Sequence, residues 1–433
     1  MDIRNQRREK HTMTFEEHLD GIRKKKERNK KEEKEDRKKL EGFVRVHAGT
    51  FKLDNNGQKS QPIGFAPGAS MADVFLRLAT PEVIDYLTQA HLSTEAESLL
   101  PKKLKMGTEE SRRCVYRYFC QRLYIIAAPA SDLRSNFNTA KTTFGPGALG
   151  YSVFEKLLVH FPITFEVAAL LDRNYQGAMT LGRVITMDEK LKPFQGDSPH
   201  KRFVPNKDPN WGHWITELQT KGAHTGLPYL VGQYPLLHNG ANKCVEIFQW
   251  SRGAIPPGSS PITLADPYYL DAKSLTLLES RSEGYLCGVN SVRFREVWDL
   301  CRPFVKKIGD SVAFWNFRTN QLAMMLWDEN FGTKYVLTNA FTWVMNEKKV
   351  DLLPVREAYK FFFNTCDRFN QHLHDKQWPY KRQHWKNNFD DFYFSALLMN
   401  TYVLWHEINV SVDRIPWKDF TKRLSMSVWA RVC

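Results

Sequence analysis

Two short runs of the same design constrain this chain most. Val184–Ile185–Thr186–Met187 and Ile262–Thr263–Leu264–Ala265 are apolar and β-favouring, and each runs directly into an aspartate, Asp188 and Asp266. Runs of this length, flanked by turn-forming residues, read as buried strands. A carboxylate at the exit of such a strand is expensive to desolvate, so it asks for a partner or a metal. A third aspartate, Asp367, sits in the aromatic, helical stretch YKFFFNTCDRFNQ. Ligand and metal sites in α/β sheets gather at the carboxyl ends of strands. Three carboxylates meeting there would make a divalent-metal site suited to phosphoryl transfer on nucleic acid. Strand alternation places Glu189, the residue after Asp188, on the opposite face.

The organisation around these runs is uneven. Residues 1–42 hold 15 Lys or Arg and 11 Asp or Glu, mixed at helical spacing, which predicts a charged helix or a disordered tail. A polar, turn-rich linker is expected over 43–64. Residues 65–183 read as helical, with the apolar stripe of Val74, Phe75, Leu78, Val83, Ile84 and Leu87 broken at Pro81. The pattern changes near Gly182. Strands, a helix over DAKSLTLLESRSEG and a further strand fill 184–292, a β-rich stretch follows over 293–353, and helices occupy 354–376 and 377–433. The fold class expected is α/β, with the core interrupted once.

Net charge is +14, and most of it lies beyond residue 42, which favours a polyanionic partner, nucleic acid or an anionic membrane surface. The most apolar stretch, 392–405, has 14 residues against the roughly 20 a bilayer span requires, so it reads as a buried helix and no membrane association is expected. Seven cysteines are scattered without a CxxC pair. That argues against a disulfide framework or a zinc ribbon and fits a reducing compartment. His372 and His374 stand two apart, so on a helix they diverge and make a poor zinc pair. No Walker-type or GxGxxG loop is present.

Three blocks of sequence resemble those of the piggyBac-type transposases. MDEKLKPFQGDSPHKRFVPNKDPNWG matches the first, with Asp188-Glu189, Gly196, Lys201-Arg202-Phe203, Pro205-Asn206-Lys207 and Trp211-Gly212. LADPYYLDAKSLTLLESRSEGYLCGVNSVRF is similar to the second, and EAYKFFFNTCDRFNQHLHDKQWPYKR to the third, through Phe363-Asn364, Asp367 and Trp378-Pro379. The intervals, 78 residues from Asp188 to Asp266 and 101 from Asp266 to Asp367, suit the family layout.

The resemblance implies a ribonuclease-H-like catalytic core interrupted by a β-rich insertion and flanked by helical DNA-binding and dimerisation regions. It implies Mg²⁺ (or Mn²⁺) held by Asp188, Asp266 and Asp367, and cut-and-paste transposition of double-stranded DNA, both transposon ends and target, by a nuclear homodimer. Three positions depart from the family pattern. Asn370 stands where another acid is common, Pro267 stands where an Asn usually follows the second Asp, and no Cys/His cluster lies near residue 433. The alternative expectation is therefore a catalytically impaired, transposase-derived protein that binds DNA.

Basic and aromatic residues interleave twice. Lys201, Arg202 and Lys207 with Phe203 and Trp211 suit phosphate contact plus stacking, and equally a solvated hairpin. Lys376, Lys381, Arg382 and Lys386, with Trp378, Tyr380 and Trp385, follow the third aspartate directly and read as DNA-binding.

Overall fold

The structure, a computed structural model, describes residues 42–54, 59–92, 108–129, 132–160, 163–194, 196–204, 210–235, 243–256, 259–281, 283–329, 332–374 and 385–433. The charged segment up to residue 41 lies outside them, as do Lys207, Lys376, Lys381 and Arg382.

The chain enters through β1 (Phe43–Arg45) and β2 (Ala48–Leu53). These two strands correct the expectation of a linker over 43–64. Their few apolar residues do not alternate long enough to read as strands, and pairing with distant segments makes them so: β1 lies antiparallel to residues 314–316, and β2 to a strand beginning at Phe341. Six α-helices follow among the described residues: α1 (Met71–Leu78), α2 (Pro81–Leu92), α3 (Glu109–Ala127), α4 (Leu133–Phe144), α5 (Tyr151–His160) and α6 (Phe165–Ala178). Ser70 and Asp73 close a capping box on α1, which satisfies backbone donors the first turn would otherwise leave open. Pro81 opens α2, where its missing N–H costs nothing.

The sheet begins with β3 (Val184–Pro193), β4 (Lys201–Phe203), β5 (Trp211–Lys221) and β6 (Pro228–Pro235). Helix α7 (Lys243–Gly253) then leads to β7 (Ile262–Ala265), and α8 (Ala272–Ser280) to β8 (Tyr285–Gly288). The strand order is β6–β5–β3–β7–β8, with β3, β7 and β8 parallel and β5 antiparallel to its neighbours. Helix α7 is missed by a strand-and-turn reading of its segment, because only Cys244, Ile247, Phe248 and Ser251 face inward.

After α9 (Arg295–Cys301) come β9 (Ser311–Asn316), β10 (Gln321–Asp328), β11 (Gly332–Thr338) and β12 (Phe341–Lys349). This β-rich stretch does not stand apart. Strand β11 pairs with β8, and β10, β9 and β1 continue from it, so core and insertion share one ten-stranded sheet. The separate two-stranded sheet of β2 and β12 covers one face of that extension, with Phe51 and Phe341 buried beside Trp315 and Leu322.

Three helices follow among the described residues: α10 (Leu353–His374), α11 (Trp385–Ile408) and α12 (Trp417–Val432). Helix α11 is buried all round: every side chain from Asn387 to Glu407 is out of solvent, the polar ones among them included. Among the described residues no helix is long and apolar enough to cross a membrane.

Polar anchors fix the position of α11. Asn400 exchanges two hydrogen bonds with the backbone of Leu230 on β6, and Glu407 accepts from the backbone N–H groups of His224 and Thr225. Asn388 donates to the Pro193 carbonyl at the end of β3. Beside it the His213 ring stacks on Phe194 and Phe389, at 4.9 and 4.5 Å. Burial pulls the His213 pKa down to about 4, helped by the nearby His200 and Lys201. Between the ordinary 6.5 and about 4 the unfolded chain therefore binds a proton that the folded chain refuses, so stability falls on acidification through that window. We expect His213→Gln to flatten this part of the stability profile, measured by urea unfolding at successive pH values. An unchanged slope would refute it.

Candidate active site

Strands β3 and β7 run parallel with Val184 opposite Ile262 and Met187 opposite Ala265. The register brings Asp188 and Asp266 to the same level: Asp266 follows the last residue of β7, and Asp188 is the first β3 residue beyond the β7 pairing, although β3 itself runs on to Pro193 beside β5 and does not end at Met187 as the apolar run suggested. One carboxylate oxygen from each of Asp188, Glu189 and Asp266 lies within 4.8 Å of the other two, and all three residues are half-buried.

Each aspartate is oriented by its own backbone. Asp188 Oδ1 accepts from the Glu189 N–H at 2.8 Å, and Asp266 Oδ1 accepts from the Tyr268 N–H at 2.7 Å. Burial, with the neighbouring Glu189 and Asp266 carboxylates, holds the Asp188 carboxyl well above its usual range. Crowded acids of this kind resist ionising together until a cation joins them.

Glu189 corrects a sequence expectation. Alternation puts its Cβ on the opposite face, yet one of its carboxylate oxygens lies within 4.8 Å of both aspartates, at the point where β3 has parted from β7 after Met187. Alternation governs where Cβ atoms point, and a side chain with three torsions can depart from it.

Asp367 is placed differently. Helix α10 crosses the face of β3 that bears Thr186, whose hydroxyl donates to the Phe362 carbonyl at 3.1 Å. Cys366, Phe369 and Leu373 face inward, and Asp367 is exposed beside them. It is near enough to raise the pKa of Glu217, the β5 residue opposite Asp188, after burial, which is the larger cause. It is not one of the three residues gathered within 4.8 Å. One turn further on, the amide oxygen of Asn370 is buried and meets no hydrogen-bond donor among the described residues.

The loop after Asp266 is packed tightly. A Cβ on Gly288, at the end of β8, would lie 2.7 Å from Pro267 Cδ and 2.8 Å from the Tyr359 hydroxyl. Only glycine lets strand, loop and α10 approach so closely.

Cations surround the same loop. Lys243 Nζ lies 4.6 Å from the Tyr268 ring centre and the Arg293 guanidinium 5.7 Å from it, with Arg293 Nη1 donating to the Tyr268 carbonyl. Arg202 also acts electrostatically on Tyr268. Of these only Arg202 stood out in the sequence. Lys243 and Arg293 are isolated basic residues in ordinary segments, and only the fold brings them together. On the β4–β5 hairpin, Lys201 lies 5.4 Å from the Trp211 ring, which tilts against Phe203 at 5.3 Å, and both rings are about half exposed. The side chain of Lys386 lies outside the described ones.

The fold is that of a piggyBac transposase. The chain superposes on the transposase in a cryo-EM structure of its synaptic complex with hairpin DNA, with a TM-score of 0.67 over 86% of this chain and 83% of that one, at 15% sequence identity. The similarity includes the ribonuclease-H-like core that the sequence led us to expect. No protein-family model matches the sequence, and no curated protein matches it significantly.

Proposed function

We propose that the protein is a DNA transposase of the piggyBac kind, which cleaves and rejoins DNA strands at a divalent-metal site built on Asp188 and Asp266, with Asp367 as the third carboxylate. The observation that carries this reading is the meeting of Asp188, Glu189 and Asp266 where the parallel pairing of β3 and β7 stops, within a fold shared with a transposase.

The donor set suits a hard cation. It consists of carboxylate oxygens alone, which fits Mg²⁺ or Mn²⁺ better than a softer metal. Bound divalent ions would supply activation of the attacking oxygen and stabilisation of the leaving one. Asp188 would bind as its carboxylate, so its raised pKa sets the cation in competition with a proton, and Asp266 is held in place by the Tyr268 N–H. In cleavage, a water oxygen bonds to phosphorus and the bond from phosphorus to the 3′-oxygen breaks. That oxygen gains a proton and becomes the 3′-hydroxyl, which attacks a target phosphate in strand transfer. Arg202, Lys243 and Arg293, gathered around Tyr268, would neutralise the phosphates flanking the scissile bond. Lys201 and Trp211 suit the backbone and a base further along, and Lys207, Lys376, Lys381, Arg382 and Lys386 would extend the track. We further propose a homodimer acting in the nucleus on transposon ends and target.

A second reading, a DNA-binding protein with impaired catalysis, draws on Asn370 and on the place of Asp367 outside the 4.8 Å group. Supercoiled plasmid separates the two. The transposase reading expects Mg²⁺-dependent nicking that EDTA blocks and Asp188→Ala removes. DNA binding without nicking above the Asp188→Ala level supports the second reading, and no binding even at low salt refutes both.

A further inference from the structure

Helix α10 and the β10–β11 hairpin enclose a cavity of about 180 Å³ next to the acidic residues. That is well below the roughly 300–1,000 Å³ of pockets for drug-sized ligands, so it has room for a single ring system. Leu326 and Val336 form an apolar floor, and Tyr359 and Phe363, stacked at 5.1 Å and 17°, form an aromatic wall. The rim is polar. Arg356 pairs there with the buried Asp328, and its Nε is buried with no hydrogen-bond partner among the described residues.

The position links this cavity to the chemistry. Val336 pairs with Gly288, so the floor starts where β8 ends and extends outward beyond the level at which β7 ends before Asp266. The Tyr359 hydroxyl and Pro267 crowd the same point above Gly288, so one residue separates this wall from Asp266. On its other flank the cavity is lined by Asp367 itself.

We propose that the cavity receives one unstacked nucleobase of the DNA strand whose phosphate lies at Asp188, Glu189 and Asp266. The inference rests on the DNA-cleaving reading above. A flat apolar slot with an aromatic wall offers the stacking that a base loses when it leaves the duplex. Hydrogen-bonding groups at the rim, Asn364 and Arg356, match the edge of a base. Lys334 and Lys360 line the same cavity and complement the phosphates on either side.

The test uses the full chain and duplex DNA in Ca²⁺, with 5-iodouracil walked one position at a time across the bound stretch. Irradiation should crosslink one position to Tyr359 or Phe363, identified by mass spectrometry of the peptides. Phe363→Ala should weaken binding about tenfold on intact DNA and have little effect on DNA made abasic at that position. Phe363→Trp should keep both the affinity and the crosslink. Thermal melting of each variant separates loss of the slot from loss of the fold. Binding and Mg²⁺-dependent nicking without any crosslink in the cavity overturns the base slot alone. Failure to bind DNA at low salt overturns the slot together with the reading beneath it.

Discussion

Asp266→Ala should lose Mg²⁺-dependent nicking by on the order of 10³-fold, the scale of several kcal/mol of lost transition-state stabilisation. It should also reverse a thermal response. In the metal-free protein three carboxylates crowd within 4.8 Å, and removing one relieves repulsion, so the variant should melt no lower than wild type in EDTA. Wild type should then gain on adding Mg²⁺, by about 2.7 kcal/mol at a hundred times the dissociation constant, and the variant should not. Because metal and proton compete for the Asp188 carboxylate, whose pKa is raised, the wild-type gain should shrink as pH falls. Differential scanning fluorimetry with and without metal checks all three effects independently of catalysis. An equal Mg²⁺ response in both proteins would rule out Asp266 as a ligand.

What the sequence shows of this site follows from what local physics can carry. Asp188 and Asp266 were legible because each interrupts a short apolar run, and such a carboxylate is conspicuous wherever the strand lies. That β3 and β7 are neighbours was not legible from the runs themselves, since strand order is set by crossovers such as α7 and by packing on both faces. Glu189 was misplaced because alternation describes Cβ directions and not the reach of a glutamate. Strands β1 and β2 escaped because their stability comes from partners hundreds of residues away. Lys243 and Arg293 share no local pattern and meet only around Tyr268. The long apolar stretch of α11 was readable as buried, but not as the helix that fixes His213 and the end of β3.

That central helix carries the second large expected effect. Arg122 on α3 is 1% exposed and pairs at 2.9 Å with both Asp390 and Asp391 near the start of α11. Burial works against the guanidinium charge, but Asp390, Tyr118 and Asp391 outweigh it, so Arg122 stays charged above its ordinary value. Its guanidinium also lies 4.1 Å from the Phe394 ring, and Asp390 accepts the backbone N–H of Ile163. Arg122→Met keeps most of the volume and removes the charge, leaving two adjacent carboxylates buried without their cation. Breaking a buried pair in this way costs about 3–5 kcal/mol, which in a chain of this size lowers the melting temperature by about 3–6 °C. The pH dependence carries the diagnostic sign. Stranded carboxylates have raised pKa values, so the folded variant takes up protons more readily than the unfolded chain. Its deficit relative to wild type should therefore narrow as pH falls toward 5 and widen as pH rises. Adding Asp390→Asn and Asp391→Asn should recover much of the loss at neutral pH, because the remaining polar groups no longer bear charge. Calorimetry at pH 5 and pH 7.5 decides the matter. A deficit that is small, or that does not change with pH, would mean that α11 is held by its apolar contacts and not by the ion pairs at its start.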